Sequence, residues 1–272
     1  VEVSLVAHAT GQLESTVPVL TARRAVLTLG VAFVVAALLV PFDRELTKLL
    51  GPFRLDGFAG LGSFVGGDIK RELEFVQQFG AVTSVVISCV LVLLLDRARA
   101  ARMIDIALAC IATGLSQNVI KMLVGRPRPR VVFSEHALAG YDDPTRFAFA
   151  WQQYPLPRPG TESGVLWAHS WELWKGISSD LWAMPSSHTA GAFCLAACLV
   201  RLYPRIGKLV WVLAGIVAFA RVLLGAHFVS DVVVGGATGF VVGALVMQMG
   251  VGARVGRGER GTGSGERASS DQ

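Results

Sequence analysis

Three polar clusters interrupt an otherwise apolar chain: Lys121 and Arg128-Pro129 in KMLVGRPRP, Pro185-Ser186-Ser187-His188 in MPSSHTA, and Arg221, His227 and Asp231 in ARVLLGAHFVSD. Lys121, Arg128 and Arg221 supply fixed positive charge and forked donors suited to the oxygens of a tetrahedral oxyanion, and Arg126 and Arg130 stand near enough in the chain to join them. Ser186 and Ser187 precede an apolar run from Thr189 to Val200. Their backbone N–H groups would open a helix N-terminus, which favours an anion through unpaired donors and the helix dipole, and the Ser186 hydroxyl adds a donor. His227 and Asp231 are one helical turn apart on one face, where the carboxylate would accept from the imidazole Nδ1–H and leave Nε2 free to attack. Arg221 lies about 240° around an ideal helix from His227, so the two converge only if the helix breaks, and Gly225 is the breaking point. Pro127 and Pro129 likewise end the helix that carries Lys121, and Arg128 returns on an extended segment.

The elements that must hold these groups are membrane helices. The chain has 272 residues, 53% of them hydrophobic and only 17% charged, against about 25% charged in an ordinary soluble domain. That balance excludes a disordered, collagenous or disulfide-stapled chain, and the four cysteines, all inside apolar runs, read as packing residues. Apolar windows fall at 25–42, 79–95, 103–124, 189–203, 208–224 and 228–250, each near the length of about 20 residues that crosses the hydrocarbon core. The expected fold is therefore all-α: a polytopic membrane protein built as a six-transmembrane-helix bundle. Gly235, Gly239 and Gly243, at four-residue spacing, allow close helix approach in the last window. Asp105, Gln117 and Asn118 in the third window are expected to make hydrogen bonds between helices.

Arg23, Arg24, Arg97, Arg99, Arg102, Arg201, Arg205 and Lys208 cluster in alternate connections, which orients both termini to the cytoplasm. The net charge of +5 is thus accounted for by membrane orientation, and no nucleic-acid partner is expected. The organisation is an N-terminal cytoplasmic segment at 1–24, a six-span domain at 25–250, and a Gly- and Ser-rich disordered tail at 251–272. The 43–78 and 125–183 loops lie outside, and the second holds five of the six tryptophans, as headgroup-level anchors or a lid. Val1 in place of Met leads us to expect a trimmed start, and no secretory signal pattern opens the chain. Parity then brings all three polar clusters to the extracytoplasmic face. The arginine excess and the single asparagine suggest a bacterial inner membrane.

Lysine, six residues, Arg-Pro; Pro-Ser-x-His; Arg, five residues, His, three residues, Asp: this order, from Lys121 to Asp231, resembles the signature of the type 2 phosphatidic-acid phosphatase superfamily. The resemblance implies that His227 is the nucleophile that becomes a phosphohistidine, that Asp231 orients it, and that His188 is the general acid for the leaving group. It implies that Lys121, Arg128, Ser186 and Arg221 bind phosphate and that Ser187, in a position usually occupied by glycine, contributes its backbone N–H. Ala220 stands where a serine usually precedes the arginine. Family members work without a metal or other cofactor, and the sequence shows no cluster of metal-ligand spacing beside the basic groups. The implied reaction is hydrolysis of a lipid phosphate or diphosphate, of the phosphatidic acid, phosphatidylglycerol phosphate or polyprenyl diphosphate class, held in the membrane. A phosphotransferase of the same superfamily, a vanadate haloperoxidase, and a non-enzymatic transporter of lipid phosphate or anions are the alternatives. The spans argue against the haloperoxidase, whose relatives are soluble, and the paired histidines against the transporter.

Overall fold

The computed structural model describes residues 18–133, 137–158 and 164–255. Helix α1 (Ala22–Leu39) starts where the Thr21 side chain accepts from Arg24 N, and gives way at Pro41 to a single 3-10 turn, Val40–Phe42. The chain then re-enters helix as α2 (Asp43–Leu50). Helix α3 (Gly67–Val76) leads through a second 3-10 turn, Gln77–Gly80, into α4 (Val82–Leu95), bent from it by 59°. Helix α5 (Arg102–Val124) is stopped by Gly125 in the left-handed conformation, where a side chain is disfavoured. Three helices complete the bundle: α6 (Ser187–Leu202), α7 (Gly207–Leu223) and α8 (Val229–Met249).

Every apolar window of the sequence coincides with a helix, but the six-span count is not reproduced by length and composition. Among the described residues, four helical stretches are long and apolar enough to cross a membrane, Ala22–Leu50, Arg102–Val132, Pro204–Leu223 and Val229–Val255, and a fifth if the bent pair α3–α4 counts as one. The remaining helix, α6, rises only about 24 Å at 1.5 Å per residue, short of a hydrocarbon core of about 30 Å. It is the central helix, packed on α5, α7 and α8, so protein rather than lipid sets its length. Large apolar residues face outward instead along α1 (Val26, Leu27, Val34), α4 (Leu94, Leu95), α5 (Ile111, Leu115) and α7 (Leu209, Val212). An apolar surface of that extent is stable in lipid and not in water, and the chain is a multi-pass membrane protein.

Three further expectations need correction. The 43–78 segment is mostly helical rather than a loop, because α2 and α3 are short amphipathic helices whose polar residues kept them out of the apolar windows. The fold is mostly helical but not all-α: β1 (Arg54–Leu55) pairs antiparallel with β2 (Phe58–Ala59), and β3 (Gln153–Pro157) pairs antiparallel with β4 (Val165–His169) inside the 125–183 loop. That loop carries a core of its own, with Tyr154, Leu156, Ala168, Ile177 and Leu181 buried together. Residues 251–255 continue in helix rather than beginning a disordered tail; the rest of the tail, and 1–17 of the N-terminal segment, lie outside the described residues.

The polar residues of α5 divide by face. Asp105 accepts from Arg102 Nη1 at 2.7 Å and from the Gly252 backbone N–H at 2.9 Å, and Gln117 donates to Thr238 on α8 at 2.8 Å. Asn118, expected to bond between helices, is instead exposed on the outer face beside Val119. The cysteines pack as expected, with Cys194 and Cys198 buried in the core between α5, α6 and α8.

The contact of α6 with α8 depends on small residues. A Cβ at Gly239 would lie 2.0 Å from the Ala190 carbonyl oxygen, and one at Gly235 2.6 Å from that of Ser186. These are backbone atoms that cannot swing aside, so the glycine stripe sets the interhelical distance and with it the depth of Ser186 and His188. Gly239→Ala is expected to destabilise the protein by about 1–3 kcal/mol through overpacking, while Gly215→Ala, which meets open space, is neutral or slightly stabilising; thermal unfolding in detergent compares the two.

Candidate active site

All three sequence clusters converge at one end of the bundle. Lys121 occupies the last turn of α5, after which Gly125 reverses the chain and Arg128 follows in extended conformation. Ser186 caps α6, placing Ser187 and His188 in its first turn. Arg221 ends α7, and the turn to α8 passes through Gly225 at φ +67°, the break the sequence requires, to bring His227 back against the bundle. Asp231 sits in the first turn of α8. Lys121, Arg128 and Arg221 all act electrostatically on both His188 and His227.

His227 is almost completely buried, and its Nδ1 lies 2.7 Å from the Ala183 carbonyl oxygen. A carbonyl only accepts, so Nδ1 carries the proton and Nε2 keeps a lone pair. Asp231, expected to make this bond, is 3.7 Å from Nδ1, beyond hydrogen-bond reach. Its Oδ2 accepts instead from the Phe228 N–H at 2.8 Å and its backbone carbonyl from the Ser186 N–H at 3.1 Å. Asp231 therefore fastens the turn beside His227 and joins it to the start of α6. Burial first, and then the cations Arg221, Arg128 and Lys121, hold the His227 pKa well below the ordinary imidazole value, while the bond to Ala183 pulls the other way. The ring is neutral at physiological pH, as a nitrogen nucleophile must be.

Ser186 and Ser187 exchange their expected places. Ser186 is fully buried, its N–H taken by Asp231 and its hydroxyl accepting from Thr189 at 3.0 Å. Ser187 is the half-exposed hydroxyl that meets the cation, accepting from Lys121 Nζ at 2.5 Å. Lys121 also lies 5.6 Å over the Trp182 ring. One arm of Arg221 is held by Gln77, from the 3-10 turn before α4, at 2.5 Å. The Nε atoms of Arg128 and Arg221, shielded from solvent, have no hydrogen-bond partner among the described residues.

Arg126 does not join the anion site. It is fully buried, donating from Nη1 to Asp231 Oδ1 and Ser230 Oγ at 2.7 and 2.6 Å and from Nη2 to Asp43 Oδ2 and the Pro144 carbonyl at 2.7 and 3.1 Å, with its plane 4.2 Å from the centre of the Phe228 ring. Arg130 is half exposed and pairs with Asp180 at 3.6 Å. Asp43 and Gln77 went unrecognised in the sequence; each is a polar residue at the edge of an apolar window, a signal that would have found both. Ala183 carries no such signal, because it acts through its backbone. His169, expected to be a plain surface residue, stacks on Trp171, and His8 and His136 lie outside the described residues.

The PAP2 superfamily model matches residues 102–254, more than half of the chain and all three clusters. The chain belongs to the PAP2 superfamily. Among solved structures, the transmembrane PAP2-type phosphatidylglycerolphosphate phosphatase from Bacillus subtilis is similar at 17% identity, with 83% of this chain and 94% of that one covered and a TM-score of 0.52. LpxE from Aquifex aeolicus is 15% identical over 69% of this chain and 90% of that one, with a TM-score of 0.47. No curated protein matches the chain by sequence. At this identity the Bacillus subtilis structure speaks for the fold, and it places this PAP2 chain among bundles of the same architecture. Among the described residues, no three His, Cys, Asp or Glu side chains are grouped as a metal ion would need.

The buried Asp43–Arg126–Asp231 network predicts a specific weakness. Asp43→Ala removes one carboxylate from a fully buried guanidinium and is expected to cost about 3–5 kcal/mol and to lower activity, whereas Asp43→Asn, which keeps an acceptor, costs less. Thermal unfolding and turnover of the two variants check the ordering.

Proposed function

We propose that this PAP2 protein is an integral membrane phosphatase that hydrolyses a lipid phosphate or diphosphate through a phosphohistidine at His227. The observation that carries the reading is the pairing of a neutral, buried His227, which holds its proton on Nδ1 against the Ala183 carbonyl, with the Nε donors of Arg128 and Arg221, for which the described residues supply no acceptor. Such donors suit the non-bridging oxygens of a phosphoryl group and stabilise the charge that builds on them. The PAP2-type phosphatidylglycerolphosphate phosphatase of similar fold is consistent with this class of substrate.

In the proposed reaction His227 Nε2 attacks phosphorus in line with the leaving oxygen. The N–P bond forms, the P–O ester bond breaks, and the departing oxygen takes a proton from His188. A water molecule then gives a proton to His188 and attacks the phosphohistidine, releasing inorganic phosphate and restoring both rings. Lys121, Arg128, Arg221 and the Ser187 hydroxyl and N–H hold the phosphoryl oxygens through both steps; Ser186 and Asp231 position the elements that carry them. No metal is assigned to the site. A cleft of about 310 Å³ runs from Ser187 and His188 between α4, α5 and α6, past Val82, Val85 and Cys110, and gives the apolar part of a lipid a place beside the scissile bond.

The same reading takes the bundle as six crossings, α6 included, and sets the site on the extracytoplasmic face. Arg102, Arg201, Arg205 and Lys208 lie at the helix ends opposite the site, as cytoplasmic anchors would. A bacterial inner membrane suits this arrangement.

Phosphate release from a panel of lipid phosphates and diphosphates, by purified protein in detergent with EDTA, tests the proposal. Release is expected to survive EDTA, to be blocked by vanadate, and to fall by about a thousandfold or more in His227→Ala. Failure to release phosphate from any of them would contradict it and favour a transferase or transporter; release abolished by EDTA would contradict the metal-free chemistry.

A further inference from the structure

Gln117 lies on the inner face of α5, buried, one turn before Lys121. Its Cα is therefore about 6 Å along the helix axis from that of Lys121. Thr238 on α8 decides which end of that amide is committed. The Thr238 hydroxyl donates to the Val234 and Gly235 carbonyls, at 2.8 and 3.0 Å, and so accepts from Gln117; the 2.8 Å contact between them is Nε2–H donating. Gln117 Oε1 is left shielded from solvent with no hydrogen-bond partner among the described residues, and Gln117 is one of the walls of the cleft that reaches Ser187 and His188. Gly114 lines the same cleft with open space where a side chain would stand. A buried carbonyl oxygen without a donor is a cost that a bound donor removes.

We propose that Gln117 Oε1 is a specificity-determining acceptor that recognises a hydroxyl or amide N–H on the leaving group, close to the scissile ester oxygen. The inference rests on the lipid-phosphatase reading and narrows its substrate class. A fully esterified glycerol presents only acceptors near its phosphate, and a prenyl chain presents no polar hydrogen, so neither satisfies Oε1. A glycerol with a free secondary hydroxyl does, and so does an acylated amino alcohol. The short offset between Gln117 and Lys121 requires the donor within a few bonds of the ester, because a group farther along the tail would pass below the amide.

Three single-chain substrates that differ at one position test this: an oleoyl glycerol phosphate with its secondary hydroxyl free, the counterpart with an acetamido group there, and the counterpart with hydrogen. The full-length purified protein is expected to turn over both donor-bearing substrates with kcat/KM about tenfold or more above the third, since a site built to bind a polar hydrogen discriminates against its absence. Gln117→Met is expected to bring that ratio close to one. A preference for only one of the two donors supports the proposal and identifies hydroxyl or N–H as the group recognised. Equal kcat/KM for all three substrates in the unmutated protein overturns it, assigning Oε1 to a structural water, while leaving the phosphatase reading intact; this comparison needs no variant to fold. A preference that survives Gln117→Met also overturns it. Turnover of none of the three, with no phosphate released from any other lipid, overturns both readings together.

Discussion

A site for phosphate needs uncompensated positive charge inside a folded protein, and a folded protein tends to neutralise buried charge with its own carboxylates. The arrangement around Arg126 resolves that conflict. Asp43 and Asp231, the buried carboxylates packed against this end of the bundle, both bind Arg126, at 2.7 Å each. Among the described residues no carboxylate forms an ion pair with Lys121, Arg128 or Arg221, and the contacts of Lys121 and Arg221 are neutral: the Ser187 hydroxyl and the Trp182 ring for the first, the Gln77 amide for the second. One arginine of the RPRP segment serves to spare the other. Exchanging it for lysine would not preserve this, because its planar fork reaches two carboxylates, a hydroxyl and a carbonyl at once.

The second dependence is of His227 on the long 125–183 segment. Its two ends are stitched together: the Ala183 N–H donates to the Arg126 carbonyl at 3.0 Å, and the Arg128 N–H donates to the Asp180 carbonyl at 2.8 Å. The same Ala183 then turns its own carbonyl to His227. The segment, with its β3–β4 hairpin and private core, is thus part of the frame that holds His227, and the tryptophans on it take different positions. Trp182 faces Lys121, while Trp151 and Trp174 are largely exposed. The glycine contacts of α8 with α6 complete the frame from the other side, since Ser186 is held both by the Asp231 carbonyl and by the close approach of Gly235.

Much of this was legible in the sequence, for physical reasons that differ from residue to residue. Apolar windows gave the positions of the long helices because lipid-facing surface must be apolar along its length; they could not give α2 and α3, whose faces are mixed. The convergence of Lys121, Arg128, His188, Arg221 and His227 followed from motif spacing together with span parity, and Gly225 and Gly125 stand where the chain had to turn. The particular partners were not legible. Asp231 one turn after His227 suggested a direct hydrogen bond, but at the N-terminus of α8 its carboxylate is drawn to the unpaired Phe228 N–H and to Arg126. The acceptor that replaces it is a backbone carbonyl from a distant segment, which side-chain identity does not encode.

The Ala183 carbonyl fixes the proton on His227 Nδ1, and in the proposed reaction Nε2 is therefore the attacking atom. Rapid quenching of the protein during turnover of a lipid phosphate, followed by alkaline digestion and identification of the phosphohistidine isomer at residue 227, tests it directly. Phosphorus is expected on Nε2. Phosphorus on Nδ1, or on a residue other than His227, would contradict it.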